Sequence, residues 1–355
     1  MNVYFCFEMY KCDDRMLLRC IFDGKWVAQM KVMISDFKEL MQKDNMVEIK
    51  LLKKNHPDWI VVTCPYDSKE PSAFFNELKD ADALITAFLP IDKKMFDAAP
   101  KLKLISISAV GYEKVDVQLA QERGVRICAI GEYCTQDVAE FTISLILALV
   151  KRLKQYDRLV SKEHRWEYDA FMAQPRLSRM TLGIFGYGRI GAAVAKMASA
   201  LGMRVIAYSR HIVDGTIKNG VEFVTEAQLL VSADIVSNHM RATSDNYHFF
   251  NTNTFQKMGQ KKPYFINVSR GETVNETELL TALDCGMIRG AALDVLESET
   301  PDLVNNPLLE RNNVIISPHA AFYSQDSMAS LQRISCENVI SFFEGQNEKV
   351  FNFVD

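Results

Sequence analysis

No stretch of this 355-residue chain is apolar for long enough to span a bilayer. The most apolar run, FTISLILALV at 141–150, is well short of the ~20 residues a membrane helix needs. The first 29 residues mix apolar with charged side chains and lack the continuous apolar core of a signal peptide. No basic block stands out and the formal net charge is −4, which argues against nucleic acid or an anionic membrane as partner. The eight cysteines (6, 12, 20, 64, 128, 134, 285 and 336) form neither a CxxC pair nor a Cys/His cluster, so no metal site is expected. They are read as buried, reduced thiols, which places the chain in a reducing compartment, the cytoplasm. There is no internal repeat and no low-complexity segment.

What is present is an ordinary globular composition, 48% hydrophobic and 24% charged, in a chain long enough for two domains. Residues 1–29 show no sustained period. They are read as an extension outside the folded domains, disordered or, in the alternative, a packed helix over Met16–Cys20. β-type runs follow at KVMIS (31–35), WIVVTC (59–64), ALITAF (83–88), KLISIS (103–108) and VRIC (125–128). MVEIKLLKK (46–54) is read as a helix because it separates two strands. A long apolar helix is expected over Phe141–Leu153. A second series begins at Leu182: LGIFG, RVIAYS, DIVSNHM, YFINVS, AALDVL and NVIISP, the last ending at 318. Asn275 with Glu278, and Gly286 after the helical run, have the spacing of a cap and a C′ glycine. Residues 324–345 read as one amphipathic helix. Strands alternating with helices imply βαβ units and parallel sheets, hence an α/β chain of two doubly wound domains.

Gly186-Tyr-Gly188-Arg-Ile-Gly191 follows one of these strands and opens a helical run. In that context the first glycine permits a tight turn, the second lets backbone approach a pyrophosphate, and the third lets helix and strand pack closely. The helix N-terminus then offers unpaired N–H groups to phosphate. At the end of the next strand stand Ser209, Arg210 and His211, where an NAD site usually has an acid for the ribose 2′-OH. A hydroxyl plus a guanidinium would instead accept a 2′-phosphate, so NADP(H) is favoured over NAD(H). The alternative is a solvated arginine in an NAD enzyme.

Arg270 follows FINVS, Asp294 and Glu299 lie in ALDVLESET, and His319 follows VIISP, all at or just beyond strand ends. Ligands of open α/β sheets collect there. Reduction of a 2-oxo acid needs a cation for the carboxylate and carbonyl, a hydride donor and a proton donor. Arg270 supplies the first with its planar fork. His319 is the natural proton donor, oriented by Glu299. Taken singly, the histidine could be structural, the arginine a cap and the glutamate a loop carboxylate.

With TLGIFGYGRIG, INVSRGETVNETELLTAL, GAALDVLESETP and NVIISPHAAFYS in view, the chain resembles the D-isomer-specific 2-hydroxyacid dehydrogenases. SAVGYEKVDVQLAQERGV and YCTQDVAEFTISLILAL match earlier signatures of the same family, so the resemblance covers about residues 30–345. It implies a flavodoxin-like substrate domain made of 30–132 plus 322–355, with a Rossmann-type NAD(P) domain, 133–321, inserted. It further implies an active site in the inter-domain cleft, a small 2-oxo or 2-hydroxy acid substrate, and a homodimer. Matched residue by residue, Arg270, Glu299 and His319 take the catalytic positions, and Val110 and Gly111 the loop whose amides hold the substrate carboxylate. Asp294 takes the contact to the nicotinamide carboxamide, and Arg189 and Ile190 lie beside the pyrophosphate. Arg241 departs from the usual proline, and Thr300 separates Glu299 from Pro301. Glu299 also argues against formate dehydrogenases, which have glutamine there. The rival is a cofactor-sensing corepressor of the same fold, which YCTQDVAEFTISLILAL resembles; no basic region supports it.

Overall fold

A computed structural model describes residues 29–39, 41 and 45–354 in full, and 7–12, 15–22 and 25–26 through their backbone pairing. Two compact units result, one of residues 1–133 with 325–355 and the other of residues 134–324. In the first, β1 (Phe7–Cys12), β2 (Arg15–Phe22) and β3 (Lys25–Trp26) precede β4 (Lys31–Ile34), β5 (Ile60–Thr63), β6 (Ala83–Thr86), β7 (Leu104–Ile107) and β8 (Arg126–Ala129). The second contains β9 (Thr181–Phe185), β10 (Arg204–Tyr208), β11 (Ile217–Lys218), β12 (Val221–Phe223) and β13 (Ile235–Asn238), then β14 (Tyr264–Asn267), β15 (Gly290–Leu293) and β16 (Val314–Ile316). β17 (Phe353–Val354) returns to the first unit.

The six-stranded sheet of the first unit runs β17-β8-β7-β6-β4-β5, parallel except for β17. Without that edge strand this is the flavodoxin-like order. Leu52 from the helix Met46–Asn55 and Cys336, Val339 and Ile340 from the helix Gln325–Phe343 share a core with Val32, Ile34 and Leu104. The C-terminal helix therefore covers a sheet built from residues roughly 200 to 300 positions earlier, as a discontinuous domain requires. Glu48 is buried at this junction and accepts from Nε2 of Gln332 at 2.9 Å.

The eight-stranded sheet runs β11-β12-β10-β9-β13-β14-β15-β16. All its neighbours are parallel except β11 on β12, and the direction of succession reverses between β9 and β13. β13, β14 and β15 are buried at every residue, as strands with a covered face on both sides must be. Phe185, Phe250, Phe255 and Phe265 interlock in the core, with ring centroids 4.7–5.7 Å apart.

Three expectations are corrected. Phe7–Cys12, Arg15–Phe22 and Lys25–Trp26 form a small antiparallel sheet, with Met9 opposite Leu18 and Ile21 opposite Trp26; Met16–Cys20 is strand, not helix, and residues 1–6, 13–14, 23–24 and 27–28 lie outside the described set. In the sequence Asp13-Asp14 and Asp23-Gly24 separate these strands by two residues each, which is hairpin spacing, and strands this short carry no sustained period. The apolar helix spans Thr135–Val150, because its buried stripe reaches back to Val138 and Arg152 turns left-handed at φ 57°, starting a second helix at Leu153. Among the cysteines, Cys128, Cys134 and Cys336 are buried, Cys64 is half-buried and Cys285 is exposed; all five are free thiols. Burial pushes the Cys128 thiol up to about 12. Cys6, Cys12 and Cys20 lie outside the residues whose side chains are described. Among the described residues no helix is long and apolar enough to cross a membrane, and no His/Cys/Asp/Glu group could hold a metal ion.

Candidate active site

The site is built on the carboxyl edge of the eight-stranded sheet, beginning where its strand order reverses. Gly186 leaves β9 at φ 87°, and a Cβ there would stand 2.7 Å from the backbone of His239 and Met240 at the exit of β13. A Cβ on Gly191 would lie 2.3 Å from the Gly186 carbonyl oxygen, whereas one on Gly188 would meet nothing within 4 Å. Gly188 is the N-cap of the 12-residue helix Arg189–Ala200, and no side chain caps that end. First-turn N–H groups without a side-chain acceptor, beside open space over a glycine, fit a pyrophosphate. Arg189 is exposed and Ile190 half-buried at this end. Ser209 and Arg210 follow β10, the next strand of the sheet. Arg210 lies 3.7 Å from Asp245, and both side chains are mostly exposed, an arrangement worth little to stability and easily exchanged for another anion.

Arg270 leaves β14 in an extended conformation and donates from its guanidinium to the Ser269 carbonyl at 3.0 Å. Its own carbonyl accepts from Asn267 Nδ2 at 3.0 Å and from the Thr273 hydroxyl at 2.7 Å. Asn238 Nδ2 donates to Asn267 Oδ1 at 3.1 Å and to Thr273 Oγ1 at 2.8 Å, and these three side chains are fully buried or nearly so. Ser269 donates from Oγ to the Met240 carbonyl. Sequence reasoning missed this network. Its signal was visible, since asparagines closing otherwise apolar strands are costly unless every polar atom finds a partner. At Gly271 a Cβ would come within 1.8 Å of the Leu296 carbonyl oxygen, so the backbone beside Arg270 lies directly on the segment leading to Glu299.

His319 follows β16 at φ 51°, and its ring Nδ1 stands 3.1 and 3.0 Å from the two carboxylate oxygens of Glu299. A carboxylate can only accept, so the proton of this contact sits on Nδ1 and Nε2 is left for chemistry. The loop is held from below. Asp294, 1% exposed, accepts from Ser317 Oγ at 2.6 Å, Ala320 N at 2.9 Å and Ala321 N at 2.9 Å, while its carbonyl accepts from His319 N at 2.7 Å. Phe322 presents its edge geometry to the imidazole, at 6.0 Å and 85°. The structure thus pairs His319 with Glu299 and places both on the sheet edge that also carries Arg270 and the glycine turn. Val110 and Gly111 belong to the other unit, in the loop after β7.

Comparison with known proteins gives this edge its context. Residues 143–321 match the family model of the D-isomer specific 2-hydroxyacid dehydrogenase NAD binding domain. A glyoxylate reductase of Korarchaeum cryptofilum is 37% identical over 79% of this chain and 86% of its own length. The chain belongs to the D-isomer-specific 2-hydroxyacid dehydrogenases. A hydroxypyruvate reductase of Blautia hydrogenotrophica is 32% identical over 78% of this chain and 87% of its own. The solved D-lactate dehydrogenase of Aquifex aeolicus, complexed with NAD and lactic acid, is 28% identical and superposes with a TM-score of 0.77 over 91% of this chain and 98% of its own. The dehydrogenase is therefore a nicotinamide-dependent oxidoreductase of the CH–OH type, and nothing in these likenesses supports the corepressor reading.

His239 stands at the exit of β13, its backbone beside Gly186 and its Nε2 2.8 Å from Ser237 Oγ. Burial pushes its imidazole down from 6.5 to about 4. Between those values the unfolded chain holds a proton that the folded chain lacks, so stability is full above pH 6.5 and falls as the pH drops toward 4. The loss expected by pH 4.5 is about 2–3 kcal/mol, and His239→Gln should abolish it. Urea unfolding at pH 7.5 and 4.5 checks this; the same loss in both proteins would remove His239 as its source.

Proposed function

We propose that this dehydrogenase reduces a small 2-oxo acid to the D-2-hydroxy acid, with Arg270, Glu299 and His319 as its catalytic residues. The observation that carries the reading is the His319–Glu299 pair, on the same strand edge as Arg270 and the glycine turn. The guanidinium of Arg270 binds the substrate carboxylate and draws on the carbonyl oxygen through its two-pronged geometry. The imidazolium of His319 delivers a proton from Nε2 to that oxygen while Glu299 holds the ring through Nδ1. The bound nicotinamide supplies the hydride. Gly186, Gly188, Arg189, Ile190 and Gly191 receive its pyrophosphate. Asp294, whose Oδ2 accepts only from Ala321 among the bonds above, takes the carboxamide, and the amides of Val110 and Gly111 take the substrate carboxylate, both on the family pattern. The named activities of the relatives point to a substrate of two or three carbons such as glyoxylate, hydroxypyruvate or pyruvate.

NADP(H) is the proposed cofactor, with Ser209 and Arg210 on the 2′-phosphate in place of Asp245. The proposed assembly is a homodimer, since Trp166 and Tyr168, each 90% exposed, offer large apolar surfaces that a second copy would cover.

Steady-state reduction of glyoxylate, hydroxypyruvate and pyruvate is the test of the activity. Arg270→Lys keeps the charge but loses the fork and should cost at least about tenfold in kcat/KM; turnover of none of the three, or a loss under about threefold, would overturn the reading. For the cofactor, wild-type enzyme should have the lower KM for NADPH. Ser209→Asp with Arg210→Ala should reverse the order, because attraction worth roughly tenfold is replaced by repulsion. A wild type that already favours NADH refutes the assignment. Sedimentation velocity should give twice the chain mass, and a shift toward one chain in Trp166→Ser with Tyr168→Ser; a wild-type mass of one chain excludes the dimer.

A further inference from the structure

The opposite end of the eight-stranded sheet carries a second concavity. A groove of about 730 Å³ opens where β14, β15 and β16 begin, far along the strands from the glycine turn and His319. Arg152, Lys154, Lys262 and Arg289 line it, and no carboxylate does. None of the four pairs with an Asp or Glu among the described residues, although Arg204 and Arg311 of the same unit do, at 2.8 and 2.6 Å. The chain as a whole is acidic, so four cations without counter-charge are not a by-product of composition.

Their surroundings hold them in place. Arg152 and Lys262 sit in the left-handed region at φ 57° and 50°, which side-chain-bearing residues rarely adopt. The Lys154 ammonium donates to the carbonyls of Arg311 at 3.0 Å and Val314 at 2.7 Å, leaving one N–H to give. Burial, then the charge of Arg158, holds that ammonium below the ordinary lysine range, a cost an anion would relieve. Arg289 lies over the Tyr264 ring at 6.0 Å, and Tyr264 donates to Gln174 at 3.1 Å. Gln155, also in the wall, buries its Oε1 without a donor.

We propose that this groove binds a small organic polyanion that carries phosphate or carboxylate groups. The cations take its charged oxygens by charge-assisted hydrogen bonds, and their summed potential draws it in. Substrate and cofactor are held at the other edge of the sheet, so this ligand is a third one.

The test is calorimetric titration of enzyme saturated with NADPH, at fixed ionic strength, with inorganic pyrophosphate and separately with citrate. At least one should bind once per chain. Arg152→Gln, Lys262→Gln and Arg289→Gln together should weaken it by roughly 30-fold or more, with kcat/KM for the 2-oxo acid unchanged. If that triple variant does not fold, Lys262→Gln alone, at an exposed position, should weaken binding by about threefold or more. Binding of pyrophosphate alone marks a phosphate site, and binding of citrate alone a carboxylate site. No binding of either at millimolar concentration, or equal binding by the variants, overturns the proposal.

Discussion

At Gly271 a single added methyl group would stand 1.8 Å from the carbonyl oxygen of Leu296, and at Gly186 it would stand 2.7 Å from the backbone of His239. Backbone lies on backbone at both places. Neighbouring strand exits can then converge on one edge of the sheet without side chains between them. The loop bearing Arg270 is thereby seated on the segment that runs on to Glu299. The turn that would receive a pyrophosphate is seated on the exit of β13. A side chain at either glycine would separate these loops, and with them the groups they carry.

Close approach alone would leave buried polar atoms unpaid, and a second layer of hydrogen bonds answers that. Asn238, Asn267 and Thr273 satisfy one another beneath Arg270, and Asp294 satisfies the loop beneath His319. Each of these side chains is buried, and removing one would strand its partners in a medium that cannot replace them. The geometry of the edge thus rests on residues buried beneath Arg270 and His319. His319 itself is held at a positive φ by two backbone contacts, to Asp294 and Ser317, before its ring meets Glu299.

The two ends of the same sheet have opposite characters. The carboxyl edge presents paired and networked side chains, His319 with Glu299 and Asn238 with Asn267 and Thr273 among them. The amino edge gathers Arg152, Lys154, Lys262 and Arg289 without a carboxylate among them. A parallel sheet makes such a separation natural, because all strand exits face one way and all entries the other.

Much of this was legible in the order of residues. Apolar runs alternating with helical ones determined two parallel sheets, and GYGRIG between a strand and a helix determined the tight glycine turn between them. Arg270, Asp294, Glu299 and His319 could be singled out because each follows a strand directly, and strand ends are countable from one dimension. The strands Phe7–Cys12, Arg15–Phe22 and Lys25–Trp26 were not legible because they show no sustained period, and their information lies in two-residue breaks. Other features had no local signature. That Glu299 meets Nδ1 rather than Nε2, that Arg210 faces Asp245, and that Asn238 bonds to Asn267 depend on which strands become neighbours. So does the cationic groove, whose residues are spread from Arg152 to Arg289. Sequence sets what each strand end carries; only the lateral order of the strands, chosen by burial of both sheet faces, decides which ends stand side by side.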